Sequence, residues 1–310
     1  MTRVNQALHS AAEQLSNTSD TARLDAELLM AHALGVTRSE LLLRHMRDEA
    51  PASFGALVKR RSAHEPVAYI TGEEEFYGHT FTITPAVLIP RSDSEAVIDA
   101  AREAMDGKPA RRILDLGTGS GALLLTMLLV WPEAEGMGID RDPCAVFVAL
   151  KNAERVGVNP SYDPEEAEAF LVKIRASGID TSSGALGYVS RGRASFRVLD
   201  WTKRGWRTHL GRFDLIVANP PYVEDTAQLD PTVHDHEPHG ALYSGPEGLD
   251  DYRALIPQLP ALLEPGGVVV LEIGYAQDDA VAAIAAASGF SAELRRDLAG
   301  RPRALILRRD

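Results

Sequence analysis

The sequence has little cysteine and no long hydrophobic run. Its single cysteine, Cys144, excludes a disulfide within the chain and suits a reducing compartment. No window approaches 18 uninterrupted apolar residues, and the N-terminal stretch lacks the apolar core of a secretion signal. We therefore expect a cytoplasmic protein that makes no use of a membrane.

Basic residues are fewer than acidic residues. Lys and Arg number 32 against 44 Asp and Glu, which gives a formal net charge of -12. A large nucleic-acid footprint needs clustered positive charge to neutralise phosphates, so the balance disfavours direct nucleic-acid binding. Protein or small-molecule partners are expected instead.

The length of 310 residues predicts two domains. Over residues 1–66, apolar residues recur at helical spacing and predict four short helices, the second of which ends at Gly35. Residues 67–90 place apolar residues between glycines and a proline, which predicts a β-hairpin connector. The helical domain has no catalytic constellation, so we expect it to hold a macromolecular substrate, and the chemistry is assigned to residues 91–310.

Strands alternate with helices in residues 91–310, which predicts an α/β domain with a doubly wound, mostly parallel sheet. Strands are predicted at 112–116, 136–139, 194–199, 213–218, 268–273 and 304–308. Residues 160–191 are polar and partly rich in Gly and Ser, and they interrupt the alternation. We interpret them as an insertion or long loop that is dispensable for ligand binding at the sheet.

A glycine-rich turn follows the first strand of this domain and precedes an apolar helix. Such glycines let the backbone approach a ligand closely at a helix N-terminus. A carboxylate at the end of the next strand, 19 positions after the turn, is suited to accept two ribose hydroxyls. The predicted site for an adenosine-containing cofactor comprises Asp115, Gly117, Thr118, Gly119, Ser120, Gly121 and Asp140. The alternatives are a helix-capping role for Asp115 and a surface charge for Asp140.

Asp200 and Trp201 follow the strand at 194–199. A carboxylate beside an indole at the carboxyl end of a strand is suited to adenine, by hydrogen bonding and by stacking. The alternative is a tryptophan that serves only the core. His234, His236 and His239 match no known zinc spacing, and we predict no metal site there.

The strand at 213–218 stops at Asn219, Pro220, Pro221 and Tyr222, because prolines lack the N–H groups that a sheet requires. The Asn219 side-chain oxygen and the Pro220 carbonyl can together accept both hydrogens of an NH2 group, while the Tyr222 ring packs against the group that carries it. We predict catalytic roles for Asn219, Pro220 and Tyr222, and substrate contacts for all four residues. An ordinary Asn-Pro turn is the alternative.

Taken together, these motifs resemble those of the S-adenosylmethionine-dependent release-factor N5-glutamine methyltransferases, the HemK/PrmC group. The matching stretches run from Leu88 to Glu95, Ile113 to Gly121, Asn219 to Tyr222, Gly248 to Asp250, Leu271 to Gly274 and Asp297 to Arg301. Two departures from the family pattern are His236, where the family usually has Tyr, and Ser244, where it has Gly.

The resemblance implies a seven-stranded Rossmann-like methyltransferase sheet with an antiparallel last strand. It implies S-adenosyl-L-methionine as cofactor, bordered by the glycine turn, Asp140, Trp201 and Asn219. The implied substrate is the glutamine of the Gly-Gly-Gln motif in class 1 peptide chain release factors, and a monomer is expected. The alternatives are a glutamine of a ribosomal protein or an exocyclic amine in RNA or DNA. A dinucleotide-dependent oxidoreductase would explain the glycine turn but would leave Asn219 to Tyr222 without a role.

Overall fold

The computed structural model of the protein describes residues 2–161 and 193–309, in which the chain forms two compact units. Unit 1 comprises Met1–Glu73, Ile83–Pro85 and Leu229–Glu237, and unit 2 comprises Glu74–Thr82, Ala86–Gln228 and Pro238–Asp310. Apart from Pro160 and Ser161, the predicted insertion lies outside the described residues. No helix in the described ranges is long and apolar enough to cross a membrane.

The α-helices of the described residues are α1 (Val4–Leu15), α2 (Ala22–Leu34), α3 (Arg38–Glu40), α4 (Phe54–Ser62), α5 (Val67–Thr71), α6 (Glu95–Ala104), α7 (Ala122–Val130), α8 (Pro143–Arg155), α9 (Pro231–His234), α10 (Asp250–Leu255) and α11 (Asp278–Ala287). A π-helical turn, Leu41–His45, continues α3. Short 3-10 helices lie at Ser92–Ser94, His239–Ala241 and Ile256–Ala261.

Unit 1 is built around the predicted N-terminal helices, which are α1 to α4. Their apolar faces form one buried core, to which α1 contributes Leu8 and α2 contributes Leu29. Gly35 ends α2 in the left-handed conformation, at a φ of 68°, as the sequence predicts. Thr37 then caps α3 by accepting a hydrogen bond from the backbone N–H of Glu40.

The prediction of extended structure for residues 67–90 was wrong at its start, because Val67–Thr71 is the helix α5. Pro66 stands before its first turn with a φ of -58°, and Ile70 of this helix enters the core of unit 1. Burial of that face outweighs the β-propensity of the sequence. The hairpin itself is present as β1 (Glu73–Phe76) and β2 (His79–Thr82).

Unit 2 contains the predicted sheet, and its outer strands differ in two ways from the sequence pattern. The strands are β3 (Arg112–Leu116), β4 (Glu135–Asp140), β5 (Pro160–Ser161), β6 (Ala194–Val198), β7 (Phe213–Ala218), β8 (Leu263–Glu272), β9 (Ser291–Arg296) and β10 (Pro302–Arg308). Their order is β5-β6-β4-β3-β7-β8-β10-β9. Among these strands of the described residues, β10 runs opposite to the other seven, as expected for the last strand. The two-residue strand β5 extends the seven-stranded sheet at one edge, and β9 was not marked by the apolar pattern.

Both faces of the sheet are covered. Alternate residues, including Leu116 of β3 and Ala218 of β7, belong to a core cluster with Tyr252 of α10 and Val281 of α11. The intervening residues of the same strands are also fully buried and face the opposite side, where α6 and α7 pack. The carboxyl ends of β3, β4, β7 and β8 therefore meet at one edge between two helical layers, where ligands bind in open α/β sheets.

Candidate active site

The glycine turn is shaped for close backbone approach. Gly117, Gly119 and Gly121 have φ values of 78°, 54° and 81°, which side chains rarely tolerate. A Cβ atom on Gly117 would lie 3.2 Å from Cη2 of Trp201, and Gly121 stands immediately before α7. The backbone N–H groups of Gly117 and Thr118 both donate to the carbonyl of Ile139 at 2.9 Å, which ties the turn to β4.

Asp115 lies beneath the turn and does not line the cavity above it. It is fully buried, and its Oδ2 accepts a 2.7 Å hydrogen bond from the hydroxyl of Thr118. Burial raises the pKa of Asp115 to about 7, although the bond from Thr118 opposes this. The residue therefore supports the turn from below.

Asp140 ends β4 and lines the cavity. One carboxylate oxygen accepts from the N–H of Gly119 at 3.0 Å, and the other accepts from the N–H of Asp142 at 3.0 Å. Burial raises the pKa of Asp140. Both oxygens are oriented by backbone donors, so the carboxylate has a fixed direction at the carboxyl end of its strand.

These residues border a cavity of about 360 Å³ in unit 2. The predicted residues that line it are Gly117, Thr118, Gly119, Ser120, Asp140, Trp201, Asn219 and Pro221. The predicted residues that do not line it are Asp115, Gly121, Asp200, Pro220 and Tyr222. Sequence reasoning missed lining residues before α6, among them Leu88, Pro90 and Ser94, although they fall in a motif that supported the family resemblance.

Trp201 is held by a network that the sequence did not reveal. Its indole N–H donates to Oδ1 of Asp251 at 3.0 Å, and Oδ2 of Asp251 accepts from the hydroxyl of Ser244 at 2.8 Å. The indole thus presents its ring to the cavity beside Gly117, with its only donor already used. Asp200 is directed elsewhere, because its Oδ1 accepts from the N–H and the hydroxyl of Thr202 at 2.8 and 2.7 Å.

Hydrogen bonds from neighbouring residues fix the Asn219–Tyr222 loop, and two hydrogen-bond acceptors of the loop receive no hydrogen bond from the described residues. The N–H of Tyr222 donates to the carbonyl of Leu242 at 3.1 Å, and the amide of Gln277 donates to the carbonyl of Tyr222 at 3.0 Å. Both prolines are buried. Among residues 2–161 and 193–309, no hydrogen bond engages the side-chain oxygen of Asn219 or the carbonyl of Pro220.

The histidines of the following segment have separate contacts. Nδ1 of His234 lies 2.7 Å from the carboxylate of Asp235, Nε2 of His236 lies 3.3 Å from the carbonyl of Ala63, and His239 stacks edge-on against Tyr243. In the part of the chain that the structure describes, no group of three or more potential ligands is placed to hold a metal ion.

Two family models match separate parts of the chain. The model of the PrmC N-terminal domain matches residues 6–72, and that of ribosomal protein L11 methyltransferase (PrmA) matches residues 98–174. A release factor glutamine methyltransferase of Rhodospirillum rubrum is 38% identical over 93% of this chain and 79% of the relative. The enzyme of that name from Cereibacter sphaeroides is 36% identical over 99% of this chain and 98% of the relative. This chain belongs to the release factor glutamine methyltransferase family.

The family resemblance predicted from the motifs is thus confirmed over nearly the whole chain. A third member of the family, from Moorella thermoacetica, is 36% identical over 97% of this chain and 96% of its own length. Among solved structures, a ribosomal protein L11 methylase from Lactobacillus delbrueckii subsp. bulgaricus matches with a TM-score of 0.44 and 20% identity, covering 74% of this chain and 84% of that one. The sheet of this release factor glutamine methyltransferase family member has the predicted antiparallel last strand, β10.

Proposed function

We propose that this protein transfers a methyl group from S-adenosyl-L-methionine to the side-chain N5 nitrogen of the glutamine in the Gly-Gly-Gln motif of class 1 release factors. The observation that carries the proposal is the pair of open acceptors, at the Asn219 side chain and the Pro220 carbonyl, beside a cavity with a glycine turn. The relatives named release factor glutamine methyltransferase support the choice of substrate.

The cavity fits a sulfonium nucleoside. Gly117 allows backbone approach, Asp140 offers a fixed carboxylate for two ribose hydroxyls, and the Trp201 ring offers a stacking surface for adenine. Val87 and Leu123 add apolar lining. S-adenosyl-L-methionine, when bound there, supplies an electrophilic methyl group on a positively charged sulfur.

Asn219 and Pro220 act on the nucleophile. An amide nitrogen reacts poorly because its lone pair is delocalised into the carbonyl. Acceptors on both of its N–H bonds orient the nitrogen, localise its lone pair and become stronger partners as positive charge develops on it. The proton leaves after transfer, so no dedicated base is needed before it.

The rigidity of the loop serves the same step. Pro220 and Pro221 fix two φ angles, and the hydrogen bonds from Tyr222 and Gln277 hold the end of the loop in place. Acceptors that are already oriented need little reorganisation during the reaction, which is how positioning accelerates a displacement. We assign the Tyr222 ring to packing against the glutamine side chain.

Each predicted domain is assigned a separate role. We propose that residues 1–66 bind the protein substrate, that residues 67–90 connect the domains and that residues 91–310 carry the chemistry. The match of residues 6–72 to the PrmC N-terminal domain supports a separate N-terminal domain.

The decisive experiment incubates the purified protein with methyl-labelled S-adenosyl-L-methionine and, separately, a class 1 release factor, its Gly-Gly-Gln glutamine-to-alanine variant, ribosomal proteins and RNA. We expect label on the release factor and none on the variant. Label on a ribosomal protein or on RNA, with none on the release factor, would reject the proposal and assign one of the alternatives.

A further inference from the structure

A buried carboxyl group lies behind the Asn219–Tyr222 loop and has no role in the proposed methyl transfer. Glu272 is the last residue of β8 and is only 2% exposed. Its Oε1 accepts a 3.3 Å hydrogen bond from the hydroxyl of Tyr222, whereas its Oε2 has no hydrogen-bond partner among the described residues.

The register of the sheet places this group next to the loop. In the parallel pair β7 and β8, Ala218 lies beside Leu271, and continuing that register by one residue sets Asn219 beside Glu272. Ala218 and Leu271 both belong to the core cluster on one face, so Glu272, the next residue of β8, points to the other face. Glu272 therefore lies one strand away from Asn219, which directly follows β7.

The surrounding charges do not neutralise the carboxyl directly. Arg303 of β10 is buried nearby, but its Nη2 bonds Oδ2 of Asp93 at 2.8 Å and lies 3.7 Å from Oδ2 of Asp297. Burial raises the pKa of Glu272 to about 7, and Ser94, Arg303 and Tyr222 oppose the shift. The hydroxyls of Ser94 and Tyr222 are thus the hydrogen-bonding groups beside the carboxyl, and Tyr222 donates to Oε1 at 3.3 Å.

A role in packing alone does not account for Glu272. Burying a carboxyl with one oxygen unsatisfied destabilises a fold, and an apolar side chain of similar length would fill the same space without that cost. Such a group is expected where its chemistry is used.

We propose that Glu272 is a positioning residue for methyl transfer, which accepts the Tyr222 hydroxyl from behind and so fixes the Tyr222 ring and the Asn219–Tyr222 loop against the substrate amide. The inference rests on the proposed function, in which Tyr222 packs against the glutamine. Glu272 acts through Tyr222 and does not itself touch the reacting atoms.

The test compares Glu272→Met, which removes the acceptor at similar length, with Glu272→Gln, which keeps a side-chain oxygen. Loss of one oriented partner is expected to lower kcat about tenfold in Glu272→Met, with the cofactor Kd within about twofold of wild type. Glu272→Gln should recover most of the kcat. A Glu272→Met enzyme with wild-type kcat would overturn the proposal.

A double-mutant cycle with Tyr222→Phe tests whether Glu272 affects catalysis through Tyr222. In the Tyr222→Phe background, Glu272→Met is expected to lower kcat less than about twofold further, because the shared hydrogen bond is already gone. Tyr252→Phe is the matched control, since the Tyr252 hydroxyl is buried and donates to the backbone carbonyl of the same Glu272 at 2.7 Å. If Glu272→Met lowers kcat by the same factor in the Tyr222→Phe background as in wild type, the two residues act independently and the proposal is rejected. Equal coupling of Glu272→Met to Tyr222→Phe and to Tyr252→Phe would show a general structural role and would also reject it.

The pKa of Glu272 can be measured without an activity assay. This measurement tests the inference separately from the proposed function and can be made even if Glu272→Met does not fold. Carboxyl-labelled Glu272 followed by NMR is expected to show a higher pKa in Tyr222→Phe than in wild type, because a bond that favours the carboxylate is lost. Tyr252→Phe should leave it nearer the wild-type value. An unchanged pKa of Glu272 in Tyr222→Phe would reject the role of the Tyr222–Glu272 hydrogen bond, even if release factors are methylated. If the protein methylates no substrate, the proposed function is rejected, but the Tyr222–Glu272 hydrogen bond can still be measured.

Discussion

Asn219 offers a side-chain oxygen that no described residue engages, at the end of a largely buried strand. The Asn219→Ala variant is expected to lower kcat by at least ~10²-fold, the effect of removing one preorganised electrostatic partner. Cofactor affinity, measured by calorimetry, should change much less. Asn219→Asp tests the amide itself, and near-normal turnover in the alanine variant would refute the catalytic assignment.

Ser244 stabilises the cofactor side of the cavity through two intermediaries. Its hydroxyl bonds Asp251, which accepts the indole N–H of Trp201. We expect Ser244→Ala to weaken S-adenosyl-L-methionine binding by roughly three- to tenfold, since one hydrogen bond contributes about 0.5–1.5 kcal/mol. Calorimetric titration measures the change.

Ser288→Ala is the matched control for Ser244, because its half-buried hydroxyl donates to the carbonyl of Ile284 in the preceding helix, at 3.2 Å. It should bind the cofactor like wild type. Equal affinities in Ser244→Ala and wild type would show that Trp201 keeps its orientation without this support.

Functional residues could be predicted from the sequence where they belong to a recognisable motif. Gly117, Asp140 and Asn219 stand at strand ends in recognisable motifs, and all three line the cavity. Glu272 and Asp251 were missed because their importance comes from burial and from partners about 50 positions away, at Tyr222 and Trp201. Sequence spacing carries no information on such distant pairs.

At the scale of elements, α8 joins the hairpin to the glycine turn. Asn152 is fully buried, and its amide bonds the N–H and carbonyl of Thr82 at 2.6 and 3.0 Å and the carbonyl of Ser120 at 2.8 Å. Asn152→Ala leaves these backbone groups without partners. We expect it to reduce the free energy of unfolding by roughly 2 kcal/mol or more, since each buried unsatisfied group costs about 1–3 kcal/mol.

Thermal unfolding of the Asn152→Ala protein measures that loss, which should amount to several degrees in Tm. Cofactor affinity is expected to fall as well, because Ser120 belongs to the turn that lines the cavity. Glu154→Ala, on the exposed side of the same helix, should match wild type in both measurements. A stable Asn152→Ala protein with unchanged affinity would contradict the bridging role.

The elements themselves were predictable where burial dictates the pattern. Strands β3, β4 and β7 are mostly buried and were found from the sequence. Strand β9 was missed because it is polar and largely exposed at the sheet edge, and its pairing with β10 depends on backbone hydrogen bonds. Helix α5 was misassigned because its five residues become helical through packing in unit 1.

At the scale of the whole molecule, two fully buried carboxyls make stability depend on pH. Unfolded Asp and Glu ionise near pKa ~4, whereas burial raises the pKa of Asp115 and Glu272 to about 7. Between these values the folded protein retains protons that the unfolded chain has released. These two groups therefore lower the free energy of unfolding as pH rises from ~4 to ~7.

Thermal unfolding of the cofactor-free protein at about pH 5.5 and about pH 8 tests this dependence. We expect Asp115→Asn to lose part of the decline in Tm that the wild type shows between the two conditions. Asp279→Asn, which removes an exposed carboxyl, is the control and should keep the wild-type decline. Identical slopes in wild type and Asp115→Asn would rule out a titrating Asp115.

Unit 1 is discontinuous in sequence, since Leu229–Glu237 joins Met1–Glu73 and Ile83–Pro85. Arg61 donates to the hydroxyl of Thr232 at 3.4 Å, and the His236 ring lies against the carbonyl of Ala63. During synthesis on a ribosome, helices α1 to α4 emerge long before these partners exist. The N-terminal unit can therefore be completed only after residue 237 has left the exit tunnel, which makes its assembly a late event in translation and makes an isolated N-terminal fragment an incomplete substitute for it.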